Sequence, residues 1–186
     1  MTHTSTATAY MGTSLDGFIA TEDGGLDWLM SIPNPDLSDF GYAAFMDRVD
    51  AVVMGRNTFE AVCGFPAWPY TTRVFVLSNR LTTLPDDFAG KAELIRGGPQ
   101  EIIAQLAERG LYRLYIDGGA VVTSFLEADA IDELVITRLP VVLGKGIPLF
   151  GGMPRPLWFD HVRTEVLLEQ MVKTTYLRRR DPAKTK

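Results

Sequence analysis

The stretch Val52-Val53-Met54-Gly55-Arg56-Asn57-Thr58-Phe59-Glu60 constrains this chain more than any other. Three apolar residues run into a glycine, and polar residues then open a helical pattern. That order reads as a buried parallel strand, a tight turn and a helix N-terminus. A junction of this kind suits an anion, because free backbone N–H groups and the positive end of the helix dipole face outward. Gly55 lets a ligand approach the backbone, since no Cβ intervenes. Arg56 adds a planar fork of donors matched to phosphate.

Strand and helix patterns alternate around this junction. Strands are expected at about residues 7–14, 51–54, 73–77, 92–95, 114–116 and 133–140. Helices are expected at about 37–48, 57–62, 99–109 and 120–128. Pro99 and Gly110 bracket the clearest of these, with Ile102, Ile103, Leu106 and Ala107 as its apolar stripe. Two last strands, about 157–164 and 172–178, close the pattern. The alternation predicts an α/β fold with a mostly parallel central sheet, helices on both faces and an antiparallel C-terminal end. A chain of 186 residues with no linker or repeat reads as one domain, with an ordered core of about 7–178.

Composition excludes several functions. Net charge is −5, which disfavours nucleic acid as a partner. The run Arg178-Arg179-Arg180, with Lys184 and Lys186, reads as a solvated end. One cysteine, Cys63, allows no internal disulfide, and with His3 and His161 it leaves little for a metal site. No signal peptide or membrane-length apolar run is apparent, so a cytoplasmic protein is expected.

Three strand ends deliver glycine or polar groups to one sheet edge: Gly55-Arg56, Ser78-Asn79-Arg80 and Gly118-Gly119. Ligands of open parallel sheets bind beyond the carboxyl ends of the strands. Two glycine helix starts and two arginines suit a molecule with several phosphates, such as a dinucleotide. The usual dinucleotide and P-loop glycine motifs are absent. The loop from Asp16 to Leu29 joins glycines with Trp28 and other large apolar groups, a composition that suits a ligand cover.

Met54-Gly55-Arg56-x-Thr58-Phe59-Glu60, Leu77-Ser78 and Asp117-Gly118-Gly119, in this order, resemble the dihydrofolate reductase superfamily. Ser14-Leu15-Asp16-Gly17-x-Ile19-Ala20 and Leu143-Gly144-Lys145-Gly146-Ile147-Pro148-Leu149-Phe150 are similar to the C-terminal reductase domain of the bacterial riboflavin biosynthesis protein RibD. The resemblance covers roughly residues 7–178. It implies an NADPH-dependent oxidoreductase that transfers hydride to a C=N or C=O carbon of a pyrimidine or pterin-like small molecule. The pathway-specific substrate it implies is 5-amino-6-(5-phosphoribosylamino)uracil. The alternatives are a dihydrofolate or pteridine reductase and a non-catalytic NADPH-binding protein.

The resemblance also assigns residues. Gly55, Arg56 and Thr58 would hold phosphates at one helix start, and Gly118, Gly119 and Ala120 the pyrophosphate at the other. Leu77, Ser78, Asn79 and Arg80 would meet the adenosine 2′-phosphate, and Ile19 and Ala20 the nicotinamide. Asp39, with Asp36 as competitor, would be the catalytic acid, and Thr137 would support it. Asp16 and Trp28 would lie on the substrate side. Lys145 and Arg138 are candidates for a substrate phosphate, with surface placement the safer reading. A homodimer is implied, with the last two strands near its interface.

Overall fold

A computed structural model of the chain describes residues 4–180. His3, Lys184 and Lys186 lie outside the described residues. Strand β1 (Thr6–Thr13) leads through a turn to the short β2 (Phe18–Ala20). A single 3-10 turn, Asp27–Met30, precedes helix α1 (Tyr42–Met46). Strand β3 (Ala51–Gly55), helix α2 (Arg56–Cys63), strand β4 (Arg73–Leu77) and strand β5 (Ala92–Ile95) follow. Next come α3 (Pro99–Glu108), β6 (Arg113–Asp117), α4 (Gly119–Glu127) and β7 (Glu133–Arg138). The chain ends in β8 (Ile147–Pro148), β9 (Phe159–Leu167) and β10 (Met171–Arg178).

Eight strands form one sheet in the order β5-β4-β3-β6-β1-β7-β10-β9. The first six run parallel, and β10 runs against both of its neighbours. Alternate side chains of β3 feed two cores. Ala51 and Val53 join Ile102, Leu106, Val122 and Phe125 from α3 and α4 on one face. Val52 and Met54 join Phe45 and Phe59 from α1 and α2 on the other. The near-continuous apolar runs of β3 and β4 follow from this, because a strand covered on both faces has no solvent side.

Two expectations need correction, and one short sheet is an addition. The helix expected from about 37 is confined to Tyr42–Met46. Leu37, Phe40 and Gly41 have φ values of 49°, 56° and 84°, so the backbone cannot be helical before Tyr42. The glycine loop near 144 runs into β8, which pairs with β2 as a separate two-stranded sheet. Finally, the arginines at the C-terminal end are docked rather than solvated. The Arg178 side chain is 8% exposed and pairs with Asp129 at 2.7 Å, and Arg180 reaches Asp132 at 2.6 Å.

Candidate active site

The parallel register brings the ends of β3, β4, β6 and β1 to one edge. Gly55 pairs with Leu77, Met54 with Asp117, and Ala9 with Ile116. Beyond that edge lies an open cleft of about 960 Å³. It is lined by Gly55, Arg56, Asn57 and Thr58 from the start of α2, and by Gly118, Gly119 and Ala120 from the start of α4. Ile19 and Ala20 of β2 and Leu77 of β4 complete that half.

Both helix starts are built for a bound anion. The residues preceding them are Gly55 and Gly118, and neither N-terminus receives a side-chain cap. Their N–H groups therefore keep their donor capacity toward the cleft. The space at these glycines is already used. A Cβ on Gly118 would stand 2.3 Å from Thr58 Oγ1, and one on Gly119 would stand 2.9 Å from the Pro148 carbonyl oxygen. Gly118 also has φ +89°, a conformation that L side chains rarely adopt. Arg56 is exposed and makes two loose contacts, a 3.8 Å pair with Glu60 and a 3.4 Å hydrogen bond to Asn57 Oδ1, which its guanidinium can exchange for a phosphate.

Ser78, Asn79 and Arg80 begin just past the rim. The Ser78 hydroxyl accepts N–H groups of Arg80 and Leu81 at 3.2 and 3.1 Å, which shapes this turn. Arg96, a residue the sequence reading missed, donates to the Leu81 carbonyl at 2.7 Å and so stands at the same turn. Its signal was available: a polar Arg96-Gly97-Gly98 run directly after β5, the strand beside β4.

Besides Ser78, Asn79 and Arg80, four expected site residues stand outside the cleft lining. Asp39 is exposed, and its carboxylate accepts the N–H groups of Gly41 and Ala43 at 2.9 and 2.8 Å. These bonds, that to Ala43 foremost, hold its carboxyl below the usual range and tie it to the first turn of α1, outside the cleft lining. Asp16 is likewise engaged. Its carboxylate accepts from the Ser14 hydroxyl at 2.6 Å and from the N–H groups of Leu143 and Gly144 at 3.1 and 2.7 Å. It ties two loops together rather than meeting a substrate. Trp28 sits on the 3-10 turn between Leu26 and Leu29, which do line the cleft while Trp28 does not. Thr137 faces Gly12 across β1 and β7, and only Gly12 reaches the lining.

Asp117 is the acid that the cleft contains. It is the last residue of β6, directly before Gly118. Burial raises its carboxyl from 3.8 to about 6, although the Gly118 N–H and the hydroxyls of Tyr70 and Tyr115 pull the other way. The Tyr70 hydroxyl donates to Asp117 Oδ2 at 3.3 Å, and the Tyr115 hydroxyl donates to the Tyr10 carbonyl at 3.1 Å. Tyr10, Tyr70, Tyr115 and Asp117 all line the cleft beside the α4 start. An acid that exchanges its proton near neutrality, at the junction of an anion site and an aromatic pocket, can serve proton transfer.

Comparison with known proteins agrees with this architecture. The RibD C-terminal domain family matches residues 6–173. YwjB of Bacillus subtilis is 40% identical over 144 residues, which span 76% of this chain and 80% of YwjB. A solved Shewanella sp. PV-4 structure, named for riboflavin biosynthesis, is 48% identical. It superposes with a TM-score of 0.91 over 94% of this chain and 99% of the other. Enterococcus faecalis dihydrofolate reductase, solved with NADP(H), is 21% identical and shares the fold. Its TM-score is 0.67 over 95% of this chain and 97% of its own. Among the described residues, no helix is long and apolar enough to cross a membrane.

Proposed function

The chain belongs to the RibD C-terminal domain family, and on that premise we propose that it is an NADPH-dependent reductase of a flat nitrogen heterocycle. The observation that carries this reading is the pair of uncapped helix starts facing one cleft that also holds Asp117. NADPH, when bound, supplies the hydride for a C=N or C=O carbon. The residues of this chain do the rest. Gly55 to Thr58 and Gly118 to Ala120 hold the phosphates. Ile19 and Ala20 form the wall at the nicotinamide end. Asp117, held by Tyr70 beside the α4 start, carries the proton that it gives to the reduced heterocycle.

The turn at Ser78 to Arg80 sets the preference between the two nicotinamide cofactors. Its groups are donors, whereas a site for unphosphorylated ribose wants a carboxylate. Calorimetric titration is expected to show NADPH binding at least about tenfold tighter than NADH, with Arg80→Ala removing most of the difference. A charge-assisted hydrogen bond of about 1.5–3 kcal/mol accounts for that factor. Equal affinity for both cofactors in the unmodified protein would contradict the assignment.

The protein acts as a homodimer in this reading. Val162, Val166 and Val172 on the terminal strand pair are 50%, 67% and 40% exposed, and Trp158 just before β9 is 56% exposed. β9 is also the edge of the sheet, which needs cover. Sedimentation at micromolar concentration is expected to give twice the 20.6 kDa chain mass, and Val166→Lys to shift it toward the monomer. A monomer in the unmodified protein would overturn this assembly.

A further inference from the structure

Leu26, Leu29, Phe65 and Tyr70 give the cleft an apolar wall, and its lining carries more negative than positive side chains. Glu22, Asp23, Glu60 and Asp117 line the cleft, against a single cation, Arg56. Arg56 stands at the α2 start, on the cofactor side, and pairs with Glu60. Glu22 and Asp23 are then left without a counter-charge in the lining. Asp23 accepts the Thr21 hydroxyl and the Gly25 N–H, bonds that favour its ionised form.

The cations that might have answered a substrate phosphate are elsewhere. Lys145 and Arg138 are exposed, and neither lines the cleft. Lys173 shares the Phe40 carbonyl with the cleft residue Tyr10, but it is 6% exposed and does not line the cleft. Its Nζ donates to the Phe40 carbonyl at 2.9 Å and stands 3.4 Å from Glu165. The two helix starts are the remaining anion sites, and the cofactor phosphates take both.

From this lining we propose that the substrate is a heterocycle without a phosphate group, neutral or cationic, and that the acidic rim discriminates against the phosphorylated form. The proposal rests on the reductase reading for its assignment of the two helix starts to cofactor. It separates this chain from a reductase of phosphoribosyl substrates: the same fold and cofactor cradle would serve, with the rim charge changed.

The test uses the protein saturated with NADP+, so that binding is read without turnover. Calorimetry at low salt compares a ribosylaminopyrimidine with its 5′-phosphate. The unphosphorylated compound is expected to bind at least about tenfold tighter, with the gap shrinking as salt rises. Glu22→Lys, at an exposed position, is expected to narrow the gap by strengthening the phosphate's binding. The proposal is overturned if the 5′-phosphate binds equally or more tightly, if neither compound binds, or if Glu22→Lys leaves the gap unchanged. Failure of the reductase reading has a different signature: NADPH that no heterocycle oxidises.

Discussion

Asp117→Asn is expected to abolish most turnover and, at neutral pH, to make the protein harder to unfold. The two effects have one cause. Burial lifts the carboxyl from 3.8 to about 6, so the folded protein holds a proton that the unfolded chain has released. In the window between those two values the folded state binds more protons, and stability therefore falls as pH rises. Below 3.8 the penalty is absent, and above about 6 it is complete. A shift of this size corresponds to roughly 3 kcal/mol at most, so Asn at this site is expected to add about 1–3 kcal/mol at pH 7. Urea unfolding of both proteins at pH 7 and near pH 4 reads it directly, with the gain shrinking at the lower pH.

The activity loss follows from the same proton. General acid catalysis contributes about 100-fold or more, and asparagine keeps the shape without the exchangeable acid. Turnover in the unmodified enzyme is expected to fall as pH rises through about 6, as Asp117 loses its proton. Asp117→Asn removes that limb. Cofactor affinity stays within a few-fold, since Asp117 does not hold the phosphates. Asp39→Asn, by contrast, is expected to leave the pH profile alone, because that exposed carboxylate is tied to the first turn of α1. A stabilised Asp117→Asn protein with full turnover would keep the burial argument and sink the catalytic one.

Gly118→Ala is expected to cost cofactor binding and stability together. At φ +89° any L residue is strained, by about 1–3 kcal/mol. The added methyl would also meet Thr58 Oγ1 at 2.3 Å, which forces apart the starts of α2 and α4. Those two starts must share one ligand, so a displacement of even an ångström breaks several phosphate hydrogen bonds. NADPH affinity is expected to drop about 100-fold or more, because about 2.7 kcal/mol already corresponds to the loss of one charge-assisted bond. Adding Thr58→Ala removes the clash and leaves the strained φ, so it restores part of the stability but little of the binding. Unaltered NADPH affinity in Gly118→Ala, measured well below its melting temperature, would mean that the cofactor is not held there.

The strand-and-helix frame was legible because local pattern and burial agree along it. The apolar run Val52-Val53-Met54 can only be a strand covered on both faces, and Pro99 and Gly110 punctuate α3. The stretch 34–48 misled for the opposite reason. Leu37, Phe40, Phe45 and Val49 repeat at helical spacing, yet left-handed residues at 37, 40 and 41 end any helix before it reaches Asp39. Apolar spacing alone could not reveal that.

The acid was hidden differently. Asp117 stood in plain view beside the glycines, at the end of an apolar strand. What marks it is the enclosure by Tyr70, Tyr115 and Tyr42, from segments far apart in the chain. That enclosure is tertiary, and it decides which of several carboxylates carries a proton near neutrality. Trp28 and Asp16 stand outside the lining for a related reason: loop composition finds a cover for the cleft, but not which of its side chains face inward.

The central claim is hydride transfer across this cleft, and deuterium transfer from NADPH labelled at nicotinamide C4 tests it most directly. The enzyme is mixed with the labelled cofactor and unphosphorylated pyrimidines and pterins, and the products are weighed by mass spectrometry. The account predicts one product that carries the deuterium on carbon, formed at a rate that collapses in Asp117→Asn. Labelled NADPH that binds at the Gly55 and Gly118 helix starts and is recovered intact from every mixture would contradict it.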